Sequence, residues 1–132
     1  MSRRELRERV FKLLFRIEFN DEEEMPEQMA LFFEEEESLE DSAREEISRK
    51  YAGILEKKEE LDAMLNEKAT GWTVSRMGKV DLTILRLALF EMLYDDDVPV
   101  SVAINEAVEL AKKFGQTESP SFINGVLAKF AN

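Results

Sequence analysis

Two asparagines and a glutamate stand where an apolar helix would not select them. Asn105-Glu106 lies inside Val102-Ala103-Ile104-Asn105-Glu106-Ala107-Val108-Glu109-Leu110-Ala111-Lys112, and Asn124 precedes Gly125 in Phe122-Ile123-Asn124-Gly125-Val126-Leu127. A carboxylate beside an amide can serve acid–base chemistry. The apolar setting favours a structural use, with Asn105 and Asn124 satisfying groups buried where helices cross, since buried amides need partners. Asn124-Gly125 would then let the last two helices approach closely. A second group is basic. Arg3, Arg4, Arg7, Arg9, Lys12 and Arg16 face only Glu5, Glu8 and Glu18 in the first twenty residues, a net of +3. Cations at a helix start oppose its dipole, so stability alone would not place them there. Phosphate contact and a solvated polar face are both open readings.

Other chemistry is excluded by composition. The chain has no cysteine and no histidine, which removes disulfides, Cys/His zinc sites, thiol nucleophiles and imidazole bases. The run Glu34-Glu35-Glu36-Glu37 and the pair Glu40-Asp41 would diverge on a helix, whereas a cation needs carboxylates converged in a loop with alternating ligands. Asp95-Asp96-Asp97 reads as a helix terminus before the turn at Pro99. No Gly-rich phosphate loop is present, because Gly71, Gly78, Gly115 and Gly125 are too widely spaced. No catalytic group, metal or cofactor is expected.

The elements that must carry these residues are helices. The 132 residues suit one domain, 1–132, with 44% hydrophobic content, only 5 Gly and 3 Pro, and apolar side chains at helical spacing nearly throughout. No run approaches the roughly 18 apolar residues of a membrane span. The start, Met1-Ser2-Arg3-Arg4-Glu5, enters an amphipathic pattern with no apolar signal core, so a cytoplasmic protein is expected. The net charge of −11 is local: residues 21–46 hold thirteen acids and one base, Arg44, which leaves +1 for the rest. This acidic, variable segment reads as a solvated loop in preference to a strand-mimic that occupies the basic face. It spares a basic face that lies farther off than the screening length of about 8 Å.

Leu6, Val10, Leu13, Leu14 and Ile17 predict a first helix from residue 3 to about 20. Pro26 fits the first turn of a short helix bearing Met29, Leu31, Phe32 and Phe33. Ile47, Tyr51, Ile54 and Leu55 predict a helix over 42–57. A break near Lys58 separates it from a fourth, carrying Leu61, Met64, Leu65 and Ala69 and stopped at Thr70-Gly71, with Gly71 free to adopt a left-handed cap. Trp72 reads as a large anchor between helices in preference to a binding platform. Val80–Tyr94 is apolar nearly all round, which predicts a central helix. Ser101 is expected to cap the helix 102–114, closed by Gly115, and Ser119 to cap the last helix, with Pro120 in its first turn. The fold class is all-α, a compact single-domain bundle of about six to seven helices.

The string from Trp72 to Leu127, with its Val-Asp-Leu-Thr-Ile-Leu-Arg-Leu-Ala helix, Ala-Ile-Asn-Glu-Ala and Phe-Ile-Asn-Gly-Val-Leu, resembles the NusB family of bacterial transcription antitermination factors. The arginine-rich start, Arg3-Arg4 and Arg7-Glu8 running into Leu13-Leu14-Phe15, is similar as well. The resemblance implies a helical bundle that binds boxA, a short single-stranded element of ribosomal RNA leader transcripts, together with NusE, a small-subunit ribosomal protein. The complex would join other Nus factors on RNA polymerase and suppress premature termination. RNA contacts would fall on Arg3, Arg4, Arg7, Gln116, Thr117, Glu118, Ser119 and Phe122, and Arg76 and Lys79, just before the central helix, would extend the same face. Partner contacts would fall on Phe15, Glu18 and Asp81, where acidic character suits a basic ribosomal protein. Relatives are homodimers or monomers, and the sequence leaves both open. Two positions depart from the family pattern: Ser121 stands where many relatives carry a base, and Ala128 where many carry an acid. The first implies weaker RNA affinity alone and greater reliance on the partner.

Two other function classes compete. A protein–protein adaptor with little intrinsic RNA binding would explain the −11 charge. A similar helical domain forms part of some ribosomal RNA cytosine methyltransferases, but a chain of 132 residues without cysteine has neither the room nor the nucleophile for that reaction. No enzyme is expected.

Overall fold

Six α-helices and three short 3₁₀ turns make up the regular structure of a computed structural model that describes residues 1–69 and 71–131. The helices are α1 (Arg3–Phe15), α2 (Met25–Glu35), α3 (Asp41–Lys68), α4 (Lys79–Tyr94), α5 (Val100–Phe114) and α6 (Ser119–Ala128). No strand occurs among the described residues, as the helical periodicity predicts. None of their helices is long and apolar enough to cross a membrane. Thr70, named with Gly71 as a helix stop, lies outside the described residues. The chain forms two compact units, Met1–Gly53 and Ile54–Asn132, and the division falls inside α3.

In the first unit α1 begins with a capping box: Ser2 Oγ accepts from the Glu5 N–H at 3.0 Å, and Glu5 Oε1 accepts from the Ser2 N–H at 3.1 Å. The bond from the Ser2 N–H, with the Ser2 hydroxyl beside it, holds the Glu5 carboxyl below its usual range. Val10, Phe11, Leu13 and Leu14 are buried. The helix is shorter than predicted. It tightens after Phe15 into a 3₁₀ turn over Arg16–Glu18, where Phe19 N–H donates to Arg16 O at 3.1 Å. Asn20 Nδ2 donates to the same carbonyl at 2.9 Å and so satisfies a group that a longer helix would have used. In α2, Pro26 sits in the first turn as predicted, and Phe32 is buried.

The expected break near Lys58 is absent, and α3 runs unbroken to Lys68. Nothing between Ile54 and Lys68 stops a helix. There is no Gly or Pro, and Glu, Lys, Leu, Ala and Met dominate. Lys57-Lys58-Glu59-Glu60 is one polar turn of the helix between the buried Ile54 and Leu61. Gly71 does take a positive φ, +81°.

In the second unit α4 is the central element, with every residue from Leu82 to Leu89 buried. It packs on α5 and α6, which also pack on each other. Buried Arg86 donates from Nε and Nη2 to Asp62 of α3 at 2.7 and 2.8 Å. Helix α5 starts two residues earlier than the Ser101 cap required: Pro99 O accepts from Val102 and Ala103, both at 3.0 Å. Asn105 and Asn124 are exposed and their side chains make no hydrogen bond among the described residues, which overturns their expected burial. The buried stripe of α5 is Ala103, Ala107, Leu110 and Ala111, and Asn105, two residues along from Ala103, turns about 200° away from it. A Cβ on Gly125 would meet nothing within 4 Å, so no helix approaches there. The close approach is at Gly115.

Candidate nucleic-acid interface

The basic residues of α1 meet the acidic segment of their own unit. Arg3 Nη1 reaches Glu46 Oε1 at 2.9 Å, Arg9 Nε reaches Glu36 Oε2 at 3.1 Å, and Arg16 Nη2 reaches Glu35 Oε2 at 3.1 Å. Arg16 also donates to the backbone and side-chain oxygens of Gln28, each at 3.2 Å, and lies 5.4 Å from the Phe32 ring centre. The segment expected to be a solvated loop is therefore largely helical, and several of its carboxylates neutralise α1. Arg3 and Arg4 are exposed, while Arg7 keeps 7% of its surface open beside Leu6, Val10 and Lys50. Little of Arg7 is left for a phosphate in this arrangement.

Each such exposed pair is worth about 0.2–1 kcal/mol. Replacing Glu35 and Glu36 together by glutamine is expected to release Arg9 from Glu36 and Arg16 from Glu35, with Arg16 still held by Gln28. Single-stranded RNA affinity should then rise about two- to fivefold at low salt, with the fold destabilised by less than about 1 kcal/mol for each pair lost. Fluorescence anisotropy and urea titration read the two effects, and an unchanged affinity would show that these arginines do not meet RNA.

Phe15 and Glu18 belong to the same unit. Phe15 stacks on Phe11 at 5.9 Å and meets Phe19 edge-on at 5.1 Å between ring centres. This row ends at Phe19, 62% exposed, which the sequence reading passed over.

The remaining candidates lie in the second unit, around an open groove of about 380 Å³. Lys79 and Asp81, at the start of α4, form one wall, and Gln116, Glu118, Ser119 and Phe122, where α5 gives way to α6, form another. Asp81, assigned to partner contact, thus shares a groove with residues assigned to RNA. Thr117 and Arg76 are exposed but do not line it. Gly115 makes the tight corner: a Cβ there would lie 2.7 Å from Ser119 Cβ and 2.8 Å from Ala111 O. Ser119 Oγ accepts from the Gln116 N–H at 3.0 Å. The hydroxyl predicted to cap α6 instead fixes the loop ahead of it.

Trp72 completes the groove. It is 51% exposed, not the buried anchor expected, and meets Phe122 edge-on with ring centres 5.7 Å apart. The two departures from the family pattern, Ser121 and Ala128, are both exposed. The triple aspartate makes a local turn, with the Asp97 N–H donating to Asp95 Oδ1 at 3.1 Å. A cation on one wall, carboxylates and an amide around the rim, and two aromatic rings can hold a phosphate and a splayed base. This is how single-stranded nucleic acid is bound.

The model of the NusB family matches residues 4–132. The chain is 54% identical to the transcription antitermination protein NusB of Agathobacter rectalis over 131 residues, covering 99% of this chain and 100% of that protein. A solved structure of T. maritima NusB superimposes with a TM-score of 0.90 at 34% identity, covering 99% of this chain and 91% of the other. A structure of the antitermination factors NusB and NusE in complex with double-stranded RNA gives a TM-score of 0.86 at 23% identity, covering 98% and 95%. At that identity it speaks to the fold alone.

Proposed function

The chain belongs to the NusB family of transcription antitermination proteins, and on that premise we propose that it binds boxA-type single-stranded RNA together with NusE. The pair would help assemble an antitermination complex, with other Nus factors, on RNA polymerase in the cytoplasm. No bond is made or broken in this role; the chemistry is recognition. The observation that carries the reading is the full-length family match, and the chemistry of the two candidate surfaces supports it. Arg3 and Arg4 offer exposed cations, and the groove offers Lys79, Gln116 and Phe122. Arg7, mostly buried, would position α1 more than touch phosphate. Phe15, Glu18 and Asp81 are the proposed contacts to NusE, which in the double-stranded RNA complex sits with a protein of this fold.

A salt titration tests the RNA half. The affinity of a protein for single strands falls with a log–log slope of about −0.7 per phosphate contacted. Replacing Arg3 and Arg4 by alanine is expected to make the slope shallower by about 0.7 for each phosphate lost and to weaken binding at low salt. A flat salt response in the parent chain would remove RNA binding by the isolated protein. The protein–protein adaptor, the reading favoured by its −11 charge, would then stand.

A further inference from the structure

A half-exposed tryptophan calls for an explanation. Large aromatic side chains contribute to folding by burial, yet Trp72 leaves 51% of its surface open at the edge of the groove. Its ring is held nonetheless. Phe122 meets it at 68° with ring centres 5.7 Å apart, so the indole is presented with little left to order on binding.

We propose that the groove is a site for one unstacked RNA base, with Trp72 as the stacking platform, and that its acidic rim selects cytosine over uracil. This rests on the RNA-binding reading above and extends it to a residue and a base preference. The space of about 380 Å³ lies at the small end of the range for small-molecule sites, roughly 300–1,000 Å³. Stacking needs only a π-face and does not discriminate between pyrimidines. The rim does. Glu118 lines the groove, and an ionised carboxylate only accepts hydrogen bonds. Cytosine presents the N4 amino group as a donor. Uracil presents O4 at the same place, an acceptor that a carboxylate repels. Gln116 can both donate and accept and is neutral to the choice. Lys79, the cation of the lining, and Arg76, exposed in the turn before α4, are placed to take the backbone phosphates.

The chain has 1 tryptophan, so emission excited selectively at tryptophan reports on this groove alone. The experiment titrates the full chain with short oligocytidylate and oligouridylate at fixed low salt. Tryptophan emission and the anisotropy of end-labelled oligomers are followed together. The expected result is quenching that tracks the anisotropy, with oligocytidylate bound several-fold more tightly. Trp72→Leu should lose about tenfold in affinity with an unchanged salt slope, because a lost stack releases no counterions. Trp72→Phe should keep most of the affinity. Circular dichroism of the variants confirms that this exposed position leaves the fold intact. Binding with unmoved emission, and a Trp72→Leu chain that binds like the parent, would overturn the base site while RNA binding stands. Equal affinity for the two oligomers would overturn the selection by the rim. No binding of either oligomer, with or without NusE, would remove the RNA reading and the site together.

Discussion

Asp62→Ala is expected to destabilise the protein by about 3 kcal/mol, the low end of what breaking a buried ion pair costs. The Arg86 side chain is 4% exposed and that of Asp62 20%. The substitution removes both charge-assisted hydrogen bonds, at 2.7 and 2.8 Å, from a guanidinium that water scarcely reaches. The partial exposure of Asp62 is what keeps the loss at the low end. Urea unfolding should show a lower midpoint with an unchanged slope. The double substitution Asp62→Leu with Arg86→Met should recover much of the loss, since well-packed apolar groups often replace a buried pair without penalty. A midpoint unmoved by Asp62→Ala would mean that the pair does not hold α3 to α4.

Gly115→Ala is expected to cost about 1–3 kcal/mol, the usual range for overpacking, and to weaken RNA binding as well. The backbone there, at φ −93° and ψ −168°, is extended, so alanine meets no conformational penalty. The obstacle is steric. The new Cβ would lie 2.7 Å from Ser119 Cβ and Oγ and 2.8 Å from Ala111 O, and the last is fixed helix backbone. Relief must move Ser119, whose hydroxyl holds the Gln116 N–H, and with it the start of α6 that carries Phe122. Gly125→Ala is the control. Its Cβ meets nothing within 4 Å inside a helix, so it should be neutral or stabilising by up to about 1 kcal/mol. Thermal melts of the two variants, beside RNA anisotropy, test the contrast. Equal behaviour would show that the corner at Gly115 is not a tight one.

That contrast also marks what the sequence could convey. Periodicity identified α4 because its apolar residues are dense, and identified α5 and α6 because Pro99, Gly115 and Pro120 bracket them. It misread α3, where the consecutive charged residues Lys57 to Glu60 looked like a boundary. It placed Asn105 and Asn124 inside because they interrupt apolar strings, although two steps along a helix suffice to turn a side chain to solvent. Ser101 and Ser119 carried the right residue type for caps, but backbone carbonyl geometry at Pro99 and a loop contact at Gln116 decided otherwise. Long-range pairs leave no local pattern, so neither Arg86–Asp62 nor the carboxylates covering α1 were legible. Of the candidate site, the resemblance supplied Gln116, Glu118 and Phe122, the place of Lys79 before the central helix added it, and the fold brought the four into one groove. The exposure of Trp72 depends on what packs beside it, which a lone aromatic does not disclose.

The central claim is recognition of boxA-type RNA with NusE. Its most direct test is fluorescence anisotropy of a labelled boxA-type RNA against a scrambled one at fixed moderate salt, with the chain alone and with NusE. The account predicts a preference for the boxA-type sequence that strengthens when NusE is added. Equal binding of the two RNAs under both conditions would contradict it and leave a protein–protein adaptor built on the same fold.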